Sequence, residues 1–137
     1  MWTAREQLPS DTRVGAALIE RLLERLAAAG WSEHERFSVH LALEEALANA
    51  IKHGNGHDPS KQVHFEARLA PDRLWLEVAD EGNGFDPATL PDPTDAEHID
   101  RPNGRGVLLI RSFMTHVEYQ DGGRRIVMEK HREPPPN

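Results

Sequence analysis

The 137-residue sequence predicts an α+β fold. The expected architecture is a two-layer α/β sandwich, with a mixed, mostly antiparallel sheet carrying its helices on one face. Three observations predict it. Two long stretches repeat apolar residues at helical spacing, short runs alternate apolar and polar residues, and the strands come in turn-linked pairs. The order along the chain is β-α-α-β-β-loop-α-β-β, without the strict βαβ alternation of a doubly wound fold.

Residues 2–8 read as a short edge strand. Pro9-Ser10-Asp11 then opens a helix with Ser10 or Asp11 as its N-cap, and Val14, Ala17, Leu18, Leu22 and Leu26 form its apolar stripe. Gly30 closes it as a C′ residue. Ser32 followed by Glu35 is a capping box, so a second helix starts near residue 33 and runs to His53, stopping at Gly54. Residues 55–60 have loop composition. Val63, Phe65, Ala67 and Leu69 alternate with polar residues, as do Leu74, Leu76 and Val78, with Asp80 in the same register. Pro71-Asp72 joins these runs into a hairpin with one buried face. Residues 86–103 hold four of the ten prolines and five acidic residues, and an irregular, mobile segment is expected there. A short apolar helix after Gly106 and two closing strands, Val117–Tyr119 and Arg125–Met128 around Asp121-Gly-Gly123, complete the domain. One domain over 1–132 and a disordered tail over 133–137 are expected.

The bulk properties narrow the function. The formal net charge is −7, from 16 basic and 23 acidic residues, which argues against a nucleic-acid surface. The absence of cysteine excludes disulfides, thiolate catalysis and cysteine-based zinc sites. The N-terminal residues have no apolar leader pattern and no run of about 18 apolar residues occurs, so a cytoplasmic protein without membrane association is expected. The eight histidines include no His-x-x-x-His pair on a helix, and no transition-metal site is expected.

Three stretches carry chemistry. On the second helix, Ser38, Ala42, Glu45 and Asn49 lie four or three residues apart on one stripe, so an acid and an amide face the same way with short residues beside them. Such a helix can wall a pocket. Glu44 points about 100° away from Glu45 on the helical wheel. Asp80-x-Gly82-x-Gly84 ends a strand, where the Asp can accept a hydrogen bond from an exocyclic amino group and the glycines allow close backbone approach to a flat ligand. Gly104-Arg105-Gly106 opens a helix, whose outward N–H groups favour phosphate, and Arg105 or Arg101 can add charge. The pattern is neither a Walker A loop nor a dinucleotide fingerprint.

In this order, Glu45-Ala-Leu-Ala-Asn49-Ala-Ile-Lys-His-Gly54, Asp80-Glu-Gly-Asn-Gly-Phe85 and Gly104-Arg-Gly-Val-Leu-Leu-Ile-Arg-Ser-Phe-Met114 resemble the N box and two glycine boxes of the GHKL ATPase superfamily, with its Bergerat ATP-binding fold. The chain looks like the compact anti-sigma-factor serine kinases of bacterial partner-switching systems, over roughly residues 10–130. The resemblance implies ATP and Mg²⁺, with Glu45 as general base and Asn49 as the metal ligand. It implies that Asp80 reads the adenine amino group. Gly82, Gly84 and Phe85 would line the base pocket, and Gly104, Arg105, Gly106 and Val107 would wrap the phosphates, with His53 and Arg101 near them. Residues 86–103 would form an ATP lid. The implied partners are an anti-anti-sigma protein of the STAS type, a sigma factor and a second copy of the chain. The implied activity is serine/threonine-protein kinase, with a non-catalytic ATP-gated binding module as the alternative.

Overall fold

The computed structural model describes residues 1–82 and 109–133. Strand β1 (Trp2–Pro9) leads into helix α1 (Thr12–Ala28) and helix α2 (Glu33–Ala48), which widens into a π-helical turn over Asn49–Gly54. Strands β2 (Gln62–Leu69) and β3 (Arg73–Ala79) follow as a hairpin. A helical turn at 109–113 precedes β4 (His116–Gln120), and a 3₁₀ turn at Asp121–Gly123 joins it to β5 (Arg125–His131).

The five strands form one sheet in the order β1-β2-β3-β5-β4. The sheet is not mixed as expected, because every pairing among the described strands is antiparallel. Alternation decides which face is buried. Val63, Phe65, Ala67, Leu74, Leu76, Val78, Ile126 and Met128 point inward and are 6 % exposed or less. They meet Leu18, Leu22 and Leu26 of α1 and Val39, Leu43 and Leu47 of α2 in one core. Burial of this apolar surface is the main force holding helices to sheet. The opposite face is polar: Glu66 bridges Arg5 and Arg68, and Arg125 pairs with Glu77.

Local signals set the helix ends. Asp11 caps α1 by accepting from the Arg13 N–H at 2.9 Å, and Gly30, at φ +86°, lets the chain leave the helix. The α2 capping box is complete: Ser32 Oγ accepts from the Glu35 N–H, and Glu35 Oε1 accepts from the Ser32 N–H. The second Glu35 oxygen accepts from the Glu133 N–H at 2.6 Å, while Arg132 donates to the Gly30 carbonyl at 2.6 Å. The chain just after β5 is therefore clipped to the α1–α2 junction. Glu133, expected to start the tail, is held in the fold; residues 134–137 lie outside the described residues.

The expected α-helix to His53 is corrected at its last turn. From Asn49 the hydrogen bonds lengthen to the π pattern, and the Asn55 N–H reaches the Ala50 carbonyl at 2.8 Å. This wider turn delivers Asn55 to a buried junction. Its amide donates to Ser10 Oγ and to the Gln62 carbonyl and accepts from the Glu81 N–H at 2.7 Å. One side chain thus joins the start of α1, the start of β2 and the end of β3.

Candidate functional site

A cleft opens between the end of α2 and the ends of β3 and β5. Its walls are Ala46, Asn49, Ala50 and His53 on the helix side, Val78 from β3 and Asp80 just past it, and Tyr119, Arg124 and Ile126 from the last hairpin. Ile110, from the helical turn at 109–113, closes one side. The lining is apolar with a few converging polar groups, the usual form of a small-molecule site.

Of the residues singled out in the sequence, Asn49, His53 and Asp80 come together here although they are far apart in the chain. Asn49 and His53 both sit on the widened π-helical turn after α2 and line the same wall. Asp80 arrives because it continues the inward register of Leu74, Leu76 and Val78 one step past β3. Its backbone N–H is held by the Arg124 carbonyl at 2.8 Å, and its Oδ1 accepts from the Gly82 N–H at 2.8 Å. Burial raises the Asp80 pKa above its ordinary value; the Gly82 hydrogen bond and the charges of Arg124 and Lys61 act against that shift.

Glu45 is not part of the cleft lining but stands beside it, half-buried, one residue before Ala46. Its charge is felt by Tyr119, whose phenol burial pushes up to about 12, with Arg111 acting in the opposite sense. Glu44 is exposed and pairs with His40 at 3.1 Å. The two adjacent glutamates therefore have different surroundings, as their helical angle requires.

The expected stripe of short residues is corrected. Ser38 and Ala42 are 2 % and 0 % exposed within the core, and Ser38 Oγ donates to the His34 carbonyl. Ala46 and Ala50, buried in the core, are the small residues that also line the cleft.

Gly82 has a reason beyond ligand approach. A Cβ on Gly82 would run into the Gly54 carbonyl, and a Cβ on Gly54 would collide with the Asp80 carboxylate. The backbones at 54 and 82 pack directly on one another, which sets the position of Asp80. Gly84, Phe85, Arg101, Gly104, Arg105, Gly106 and Val107, with the segment 86–103, lie outside the described residues.

Tyr119 and Arg124 were not picked out in the sequence. Tyr119 reads there only as part of a closing strand, and Arg124 follows directly on the 3₁₀ turn, which holds Gly122 and Gly123 at φ +66° and +89°. The chain's single tyrosine, two residues before a glycine turn, was the available signal.

The family of histidine kinase-like ATPase domains matches residues 8–130. The serine/threonine-protein kinase BtrW of Bordetella bronchiseptica is 32% identical over 108 residues, covering 76% of each chain. An anti-sigma F factor of Clostridium perfringens is 33% identical over 102 residues, covering 70% of this chain and 72% of that protein. The serine-protein kinase RsbW of Listeria innocua is 31% identical over 111 residues, covering 75% and 70%. The solved structure of the RsbU and RsbW domains of Rv1364c from Mycobacterium tuberculosis superposes with a TM-score of 0.67 at 16% identity, covering 98% of this chain and 34% of that one. At that identity the likeness is one of fold. With a family match across most of its length and relatives of this kind, the chain belongs to the histidine kinase-like ATPase domains, in the group of anti-sigma factors and serine-protein kinases.

Proposed function

We propose that this domain binds ATP with Mg²⁺ and transfers the γ-phosphoryl group to a serine or threonine of a STAS-type anti-anti-sigma partner, holding a sigma factor in an alternative complex. The observation that carries this reading is the meeting of Asp80 and Asn49 in one cleft, with Glu45 one helical turn before Asn49. The names of the relatives support the kinase and anti-sigma parts of it.

Asp80 presents a carboxylate to the adenine amino group, and Val78, Ala50 and Ile126 give the base apolar walls. Asn49 fits a magnesium site, because its amide oxygen is a hard neutral donor on the cleft wall and Mg²⁺ takes only one or two protein groups beside phosphates and water. Bound there, the ion would neutralise charge on the phosphates. The partner's hydroxyl oxygen forms the new bond to the γ-phosphorus and the bond to the β–γ bridging oxygen breaks, so ADP leaves. The hydroxyl proton passes to the Glu45 carboxylate. The roles of Gly84, Phe85, Arg101, Gly104, Arg105, Gly106 and Val107 remain those implied by the resemblance.

The position of Glu45 beside the lining favours one second reading, a module in which ATP only sets the partner surface. Thermal unfolding with and without Mg-ATP tests the site, and labelled phosphate transfer to the STAS partner tests the chemistry. At about 100 times its dissociation constant, Mg-ATP adds roughly 2.7 kcal/mol of stability. Asn49→Ala and Asp80→Asn should reduce that gain. Glu45→Gln should keep ATP binding and lose transfer by at least about a hundredfold. Full transfer by Glu45→Gln would remove the general-base role, and no transfer by the wild type would favour the gated module.

Among the described residues no helix is long and apolar enough to cross a membrane. The proposed setting is cytoplasmic, with a homodimer as the proposed assembly, which sedimentation equilibrium tests.

A further inference from the structure

The polar face of the sheet, opposite the cleft, gathers three metal-ligating side chains. Strands β4 and β5 pair so that His116 stands directly across from Glu129. His131 lies two residues beyond Glu129 and so on the same face. One nitrogen of each imidazole and one Glu129 oxygen all lie within 4.8 Å of one another. His131 Nε2 is 3.3 Å from Glu129 Oε2, and the two rings sit 5.2 Å apart at 69°.

The spacing suits a tetrahedral ion. Bonds of about 2.0–2.2 Å to nitrogen and oxygen put neighbouring donors roughly 3.4 Å apart. The His131–Glu129 pair already has that separation. The His116 ring, at an exposed position, has room to close the third side. The backbone beneath is fixed, since the Thr115 N–H donates to the Glu129 carbonyl at 2.8 Å and Thr115 Oγ1 accepts from the His131 N–H at 2.9 Å. Two imidazoles and one carboxylate select a borderline divalent ion over Mg²⁺, which prefers oxygen ligands and water.

We infer that His116, Glu129 and His131 form a surface site for a divalent transition-metal ion of the zinc type. Three protein donors hold the ion, and its fourth position faces solvent. The site staples the edge strand β4 to β5 at the end where the chain enters from the helical turn at 109–113, whose Ile110 lines the cleft. This site is separate from the magnesium site proposed at Asn49.

The test is titration of the full chain with Zn²⁺ and with Co²⁺, followed by chelator competition and visible absorption, without nucleotide. The expected result is one equivalent bound, with the intense d–d bands of a low-coordinate cobalt site. His116→Gln, His131→Gln and Glu129→Gln should each weaken binding by more than about tenfold. His64→Gln, on a half-buried histidine paired with Glu81, should leave it unchanged. Zn²⁺ should raise the Tm of the wild type and not that of His116→Gln or His131→Gln. His116 and His131 are exposed and Glu129 is half-buried, and circular dichroism establishes that the variants fold. Binding weaker than about 100 µM would overturn the inference and leave an ordinary His131–Glu129 pair. So would binding that survives His116→Gln and His131→Gln.

Discussion

The Asp80 carboxylate occupies the space that a Cβ on Gly54 would need. The glycine that ends the π-helical turn after α2 and the acid one step past β3 are thus one structural unit, 26 residues apart in the chain. Gly54→Ala should push Asp80 out of the cleft. Overpacking of this kind costs about 1–3 kcal/mol, and the displaced carboxylate should weaken ATP binding by more than about tenfold. Calorimetry of ATP binding alongside thermal unfolding measures both; wild-type affinity in this variant would break the proposed link between Gly54 and the site.

Asp80→Asn should separate stability from binding. Burial raises the Asp80 pKa, so the folded protein holds this proton more tightly than the unfolded chain does. The associated stability is present below the unfolded value of 3.8 and is lost as pH rises through the folded value. Asparagine can still accept from the Gly82 N–H without a charge. The ligand-free variant should therefore be more stable than the wild type at neutral pH, with the difference shrinking in acid. Its ATP affinity should fall by about tenfold or more. Urea unfolding across this pH range, with parallel ATP titrations, provides the measurement.

Tyr119 is the only tyrosine, so its ionisation can be followed by ultraviolet absorbance alone. Burial, with Glu45 adding and Arg111 opposing, pushes its pKa from 10.0 to about 12. Stability linked to Tyr119 is present below pH 10.0 and is lost as pH rises through about 12. Tyr119→Phe should abolish this part of the alkaline loss. A tyrosinate step near 10 in protein still folded by circular dichroism would contradict the buried position.

Glu35 should prove important to the fold despite its distance from the cleft. It is 3 % exposed, and burial acts to raise its pKa; the N–H groups of Ser32 and Glu133, with the Arg132 charge, prevail and lower it. Its stabilising effect is present above the unfolded value of 4.5 and is lost as pH falls through the lower folded value. Glu35→Ala should cost about 1–3 kcal/mol at neutral pH. Glu35→Gln, which keeps a capping acceptor, should cost less, and its deficit should narrow in acid. Thermal unfolding of both variants at several pH values checks this.

Sequence alone determined what depends on near neighbours. Strand alternation marked Val63 to Leu69 and Leu74 to Val78 as one buried face, and Ser32 with Glu35 announced the start of α2, because these signals act within a few residues. It also marked Glu45, Asn49 and Asp80 through the spacing of their motifs. Tertiary structure alone decided what depends on distant pairing. The β1-β2-β3-β5-β4 order brings β5 beside β3, so the Arg124 carbonyl holds the Asp80 N–H and Tyr119 joins Asn49 in lining the cleft. Packing of Gly82 on Gly54 and the three-way anchor of Asn55 have no local signature, since each partner lies on another element. His116, Glu129 and His131 show the same division. Along the chain they are scattered polar residues, and only the antiparallel register of β4 with β5 makes them neighbours.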